Sequence, residues 1–240
     1  MKRVLSILVV CASLLSACSD SSEKTKTEDV SLIADIHAIT EANDSVLADI
    51  KSKLKEGDLI LRSGTDYSSE QIKDMSKEDK SYSHGGIAHF ENNQWLVYHI
   101  EPDYFLVKDK VRKELIDTFL NKAHNNGFAL ARYELKEKET HEFINYLEQQ
   151  YQKKVKFDMA FNLKTDSAMY CSEMITKGLD LATQHKLKIE IQRLTDKSKF
   201  KIIKQYFRVP EKAFANMEII PIDRLYLNPK CTIIQRYTYQ

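Results

Sequence analysis

The chain carries almost no net charge: 36 lysines and arginines stand against 35 aspartates and glutamates, leaving +1 over 240 residues. Such a balance gives a polyanion no reason to bind. Neither a basic stripe with aromatics nor a zinc-knuckle spacing is present, so nucleic acid is excluded as an expected partner. Internal repeats are missing as well. No two histidines stand at H-x-x-x-H spacing, so the sequence predicts no metal and no cofactor. Cysteine is scarce, with only Cys11, Cys18, Cys171 and Cys231. Apolar residues run on at one place alone, "VLSILVVCASLL" behind Lys2 and Arg3. That run is shorter than the about 20 residues a permanent membrane helix needs.

What the N-terminus does have is the form of a secretory signal: a positive start, an apolar run, and small residues before Cys18. Its "LSAC" resembles the lipobox of bacterial lipoproteins. That resemblance implies a signal peptide over 1–17, lipidation of Cys18, and a mature protein anchored by its lipid to a membrane of the bacterial cell envelope. Residues 18–28, including "SDSSEKTKTE", then form a flexible tether. The remaining 29–240 are long enough to close one core and are read as one domain. Export leaves Cys171 and Cys231 in an oxidising compartment, where a disulfide between them is the plain alternative to a reactive thiol.

Apolar residues at helical spacing predict an amphipathic helix over 29–55. "EGDLILRSG" reads as a turn and a buried strand, and residues 65–80 as a charged loop with at most one helical turn. "SHGGIAHF" and "WLVYHIEP" read as two strands about the tip "ENNQ". "FLVKD" suits a short strand, "RKELIDTFL" a helix, "GFALARYEL" a strand, and "KETHEFINYLEQQYQ" a helix. "SAMYCSEMITKGLDLATQ" is also predicted helical, capped by Asp166 or Ser167, with a short helix "PEKAFANM" and a last strand "CTIIQRYTYQ" to follow. Strands gathered in the middle with helices at both ends predict an α+β fold, a central antiparallel sheet packed against helices.

Two places carry chemistry. Alternation along the first strand of the pair puts His84, Gly86 and Ala88 on one face, and the tip sets His84 across from Glu101 and Gly86 across from His99. One face thus gathers two imidazoles and a carboxylate, with Gly86 and Ala88 leaving open space beside His84. Taken on the strand alone, a structural histidine beside a close strand crossing fits as well. Cys171 stands near the start of its helix, where unpaired N–H groups and the positive end of the dipole favour a thiolate and an oxyanion. Glu173 fits a capping or surface acid, Asp58 a turn former, and Trp95 and Tyr98 core packing.

"GDLIL", "YSHGGIAHF", "LVYHIEP" and "MYCSEMITKGL", in that order, resemble the permuted branch of the NlpC/P60 papain-like superfamily, the YiiX/YebB-like cysteine hydrolases. The resemblance covers roughly residues 55–180 and implies a circularly permuted papain-like fold in which histidine precedes cysteine. It implies Cys171 as nucleophile, His84 as base, and His99 or Glu101 as the third member. The activity implied is hydrolysis of an amide or ester through an acyl-enzyme, on cell-wall peptides or, alternatively, on an acyl lipid with water or another acceptor. A noncatalytic envelope-binding lipoprotein of the same fold is the remaining alternative.

Overall fold

Alternating apolar residues with little glycine between them build the strands at the centre of the molecule, a computed structural model that describes residues 44–102, 109–195, 204, 214 and 217–239. These residues fall within one compact unit, Asn43–Gln240. Its strands are β1 (Leu59–Gly64), β2 (His84–Glu91), β3 (Gln94–His99), β4 (Arg112–Leu115), β5 (Asn125–Tyr133) and two short pairs, β6 (Lys156–Phe157) with β7 (Ala168–Met169) and β8 (Gln192–Arg193) with β9 (Glu218–Ile219), followed by β10 (Cys231–Thr238). Six of them form one sheet in the order β10-β5-β1-β2-β3-β4, every neighbour antiparallel. The helices are α1 (44–53), α2 (Tyr67–Met75), α3 (Ile116–Phe119), α4 (Glu137–Gln152), α5 (Cys171–Ala182) and α6 (Asp223–Tyr226). The α+β class and the antiparallel sheet are those the sequence predicts.

The two-residue period of the strands divides the core in two. Leu59, Leu61, Ile87 and Tyr98 face α4 and α5, meeting Phe143, Leu147, Met174 and Ile175. Ile60, Ala88, Val97 and Phe128 face the other way and meet Ile50 of α1 and Phe119 of α3. Between β2 and β3 the chain turns on Asn92 and Asn93, whose φ values of 50° and 62° are both left-handed. Asparagine tolerates that conformation, and the resulting turn suits the twist of a two-residue hairpin. It fixes Ile87 opposite Tyr98 and Glu91 opposite Gln94, the expected register.

Three stretches fold differently from their sequence reading. Residues 65–80 contain the nine-residue α2, capped by the Asp66 carboxylate, which accepts from the Ser69 N–H at 3.0 Å. Its few apolar anchors, Ile72 and Met75 among them, are too sparse to print a helical period. "RKELIDTFL" splits into strand β4 and the single turn α3, because residues 112–115 pair with the otherwise open edge of β3. "SAMYC" enters α5 as a strand, Ala168–Met169 pairing in parallel with β6, so the helix starts only at Cys171. Asp166 and Ser167 therefore do not cap it. The Glu173 carboxylate does so, accepting from the Tyr170 N–H at 3.3 Å, while Asp166 pairs with Lys177 at 2.6 Å. The signal, the tether, the first part of the predicted helix over 29–55, "FLVKD" but for Asp109, and nearly all of "PEKAFANM" lie outside the described residues.

Candidate active site

His84 is the first residue of β2, paired with Arg62 of β1, and its ring is buried against Phe119 at a centroid distance of 5.6 Å. Its Nε2 lies 3.1 Å from Nδ1 of His99, the last residue of β3. Glu101 approaches the same nitrogen only to 3.8 Å. Both Glu101 oxygens are engaged elsewhere, one by the Arg62 guanidinium and one by that of Arg112. The two imidazoles and the carboxylate do gather, and of the two candidates for the third position His99 makes the contact. Glu101 is the counter-ion of two half-buried arginines. Burial works against its charge, but His84, Arg62, His99 and Arg112 together hold the carboxyl well below the usual carboxylate range.

The glycines beside His84 do not leave open space. A Cβ on Gly86 would stand 2.4 Å from Val97 Cγ1, 2.9 Å from the Tyr98 carbonyl oxygen and 3.1 Å from His99 Cβ, so β3 fills the room. Glycine is there because the strands come close enough to bring the two rings together. On the opposite face, a Cβ on Gly85 would meet Ile222 Cδ1 at 3.1 Å and Ile175 Cδ1 at 3.6 Å. A bare Gly85 lets α5 and the segment around Ile222 approach the mouth of β2.

Cys171 opens α5 and is buried. Burial pushes its thiol up to about 11, although N–H groups of Gly85, Ser172 and Cys171 itself favour the anion. The expected acidic thiolate is thus not the resting state, since desolvation outweighs what the helix start supplies. His84 moves the other way: burial and the Arg62 charge outweigh Glu101 and hold the imidazole well below its ordinary 6.5. Burial thus favours the uncharged form of both groups. Cys171 and Cys231 are both free thiols, so the disulfide alternative is not the one this fold adopts.

Cys171 and His84 line one cavity of about 340 Å³. Arg62, Glu101 and His124 supply polar lining, while Met75, Phe157, Phe161, Ile219 and Ile222 supply an apolar wall. Much of that wall comes from residues 219–222, for which the sequence offered no role. Ser172 Oγ donates to the Ile220 carbonyl, and the Ile220 N–H donates to Tyr170 Oη at 2.8 Å. The neighbours of Cys171 thereby grip the backbone of the wall from both sides. No sequence pattern announces contacts that join one residue's backbone to side chains fifty positions away. Glu114 was missed for another reason, its place in a stretch with helical spacing. It lies 3.0 Å from Nε2 of the fully buried His99.

The remaining candidates are structural. His89 Nδ1 is tied to Glu56 at 2.6 Å, away from the cavity. Tyr98 is fully buried and donates to Glu148, and Trp95 packs on Phe90 at 5.0 Å. Asp58 shapes its turn as expected, accepting from the Lys55 N–H at 2.7 Å, and it does so buried, bound also by Arg132 Nε at 2.6 Å. Glu173 caps as expected, but fully buried and 2.8 Å from Lys177, not on the surface.

Residues 53–205 match the family described as permuted papain-like amidase enzyme, YaeF/YiiX, C92 family. Among solved structures the chain is similar to the metalloprotein yiiX from Escherichia coli O157:H7, with 18% identity and a TM-score of 0.61, over 76% of this chain and 97% of that one. At that identity the likeness speaks for the fold. No curated protein matches the chain. The description of that neighbour as a metalloprotein invites a test of the donors present here. Among the described residues His84, His99 and Glu101 bring their ligand atoms within 4.8 Å of one another. Both Glu101 oxygens are already bound by guanidinium groups, and the facing histidine nitrogens are bound to each other. A cation would enter beside two fixed positive charges, so this donor set does not fit a metal.

Proposed function

The chain belongs to the permuted papain-like amidase family, whose activity is that of a cysteine hydrolase, and on that premise we propose that Cys171 and His84 cleave an amide bond through an acyl-enzyme at the surface of the cell envelope. The observation that carries the reading is a thiol on the first residue of α5 sharing a cavity with a histidine whose Nε2 is already engaged by His99. That engagement leaves Nδ1 as the nitrogen that takes the thiol proton. The sulfur attacks the carbonyl carbon, and the N–H groups at the start of α5 hold the oxyanion. The protonated His84 gives its proton to the leaving amine as the C–N bond breaks. Water, relieved of a proton by His84, then attacks the thioester, releasing the acid and restoring the thiol.

Cell-wall peptides are the substrate expected from location, with Cys18 lipidated and the tether holding the domain near the membrane. The apolar wall of Met75, Phe157, Phe161 and Ile219 favours a second reading, an acyl-lipid amide whose hydrocarbon arm lies against it. The two separate in one experiment. Wall stem peptides and N-acyl amino-acid amides of increasing chain length are offered to the full chain, and acid release is followed by mass spectrometry, with Cys171→Ala as the blank. Release from stem peptides supports the first reading, and rates that climb with chain length support the second. Hydrolysis of neither, or hydrolysis that persists in Cys171→Ala, refutes the amidase site.

A further inference from the structure

We propose that Glu114 is a positioning residue that decides, through His99, which nitrogen of His84 serves as the base. Glu114 lies on β4 opposite Val97, two residues along β3 from His99 and on the same face. Its Oε1 stands 3.0 Å from His99 Nε2. That nitrogen is buried and has no aligned hydrogen bond among the described residues, and the Glu114 carboxylate is the charged group set beside it.

Two arrangements of protons satisfy the 3.1 Å contact between His84 Nε2 and His99 Nδ1. In the first, His84 carries its proton on Nε2 and donates to a bare His99 Nδ1, and the His99 proton sits on Nε2, facing Glu114. Nδ1 of His84 is then bare and able to accept from the thiol. In the second, His99 donates from Nδ1, its bare Nε2 lone pair faces a carboxylate, and His84 carries its proton on Nδ1, where it cannot act as a base toward Cys171. An ionised Glu114 favours the first and penalises the second. It is ionised: burial opposes the charge, but the contact with His99 and the charge of Arg112 hold the carboxyl below its usual range. The same negative charge, passed through the neutral His99 ring, favours the imidazolium that His84 becomes during attack.

The kinetic arm of the test rests on the hydrolase reading, and the spectroscopic arm does not. The full chain labelled with ¹⁵N-histidine is compared at neutral pH with Glu114→Leu and Glu114→Gln by long-range ¹H–¹⁵N correlation, with His99 assigned by its loss in His99→Gln. The wild-type protein should show both His84 and His99 protonated on Nε2, and Glu114→Leu should convert a substantial part of His99 to the Nδ1–H form. Should the leucine variant fail to fold, the isosteric glutamine variant is read in its place for a partial shift. With a cleaved amide in hand, kcat in Glu114→Leu should fall about 10- to 100-fold with KM little changed, less than the roughly 10⁴-fold that a wrong tautomer costs when the orienting group touches the base directly. Wild-type tautomers in both variants, or an unchanged kcat, overturn the proposal. A wild-type chain that cleaves no amide refutes the hydrolase reading, while the tautomer spectra still decide the role of Glu114.

Discussion

Replacing Gly86 with alanine adds one methyl group at the point where β2 and β3 come closest, and its consequences follow from three distances. The new Cβ would lie 2.4 Å from Val97 Cγ1, 2.9 Å from the Tyr98 carbonyl oxygen and 3.1 Å from His99 Cβ. Val97 is fully buried, and the carbonyl belongs to the β3 backbone, so neither can swing aside. The strands must separate by several tenths of an ångström. Overpacking of a tight core costs about 1–3 kcal/mol, and the severity of these contacts places Gly86→Ala toward the upper end. Stiffening of the unfolded chain returns about 0.4–1 kcal/mol. The net loss is therefore about 2 kcal/mol, which for a domain of this size lowers Tm by about 4–8 °C. Because the displaced strand carries His99, catalysis should fall even at temperatures where the variant is fully folded. Gly85→Ala is the control, since its Cβ would press first on the methyl tip of Ile222 at 3.1 Å, a side-chain end that can shift, and should cost less. Thermal melts of the two variants beside wild type provide the assay. An unchanged or raised Tm for Gly86→Ala would refute the close-approach argument.

Two pH effects follow from burial. Glu173 is fully buried and pushed by desolvation up to about 7, against an ordinary 4.5, despite Lys177 at 2.8 Å. A raised folded pKa makes its contribution full below about 4.5 and lost as pH rises through 7, so Glu173→Gln should gain on wild type over that window, by roughly 3 kcal/mol at most. Melts at pH 5 and pH 8 check this, and a difference between the proteins that does not change with pH contradicts it. For catalysis, a neutral His84 and a thiol near 11 predict that kcat/KM falls only below pH 6.5, as His84 protonates, and stays level up to about pH 10. An alkaline limb well short of the thiol's value would mean an imidazolium–thiolate pair instead.

The parts of the fold that repeat a simple period were legible in the sequence. The alternation on either side of the "ENNQ" tip gives the β2–β3 register, with His84 across from Glu101 and Gly86 across from His99; that His84 turns to His99 rather than Glu101 is set by the arginines that hold Glu101. Cys171 was legible because a helix start leaves N–H groups unpaired whatever packs around it. What stayed hidden depends on partners distant in the chain. Residues 112–115 look helical until the open edge of β3 claims them, and Glu114 was lost with them. The wall at 219–222 owes its place to Tyr170 and Ser172, and no local pattern of its own records that. Gly86 reads as space in the sequence because the sequence cannot say how near β3 comes. The acidity of Cys171 was misjudged for a related reason: helix-start donors are local and visible, whereas the burial that outweighs them is a property of the packed cavity.

The most direct test of the account is the capture of the covalent intermediate on the full chain. An activated acyl ester with an apolar acyl arm is mixed with wild type, His84→Ala and Cys171→Ala, the reaction is quenched in acid within the first turnovers, and the adduct is located by peptide mass spectrometry. The account predicts one acyl group on Cys171 in wild type, little or none in His84→Ala, and none on Cys231 in any of the three. Equal acylation of Cys171 and Cys231, or labelling of Cys171 that is indifferent to His84, would contradict the claim that these two residues form a hydrolytic site.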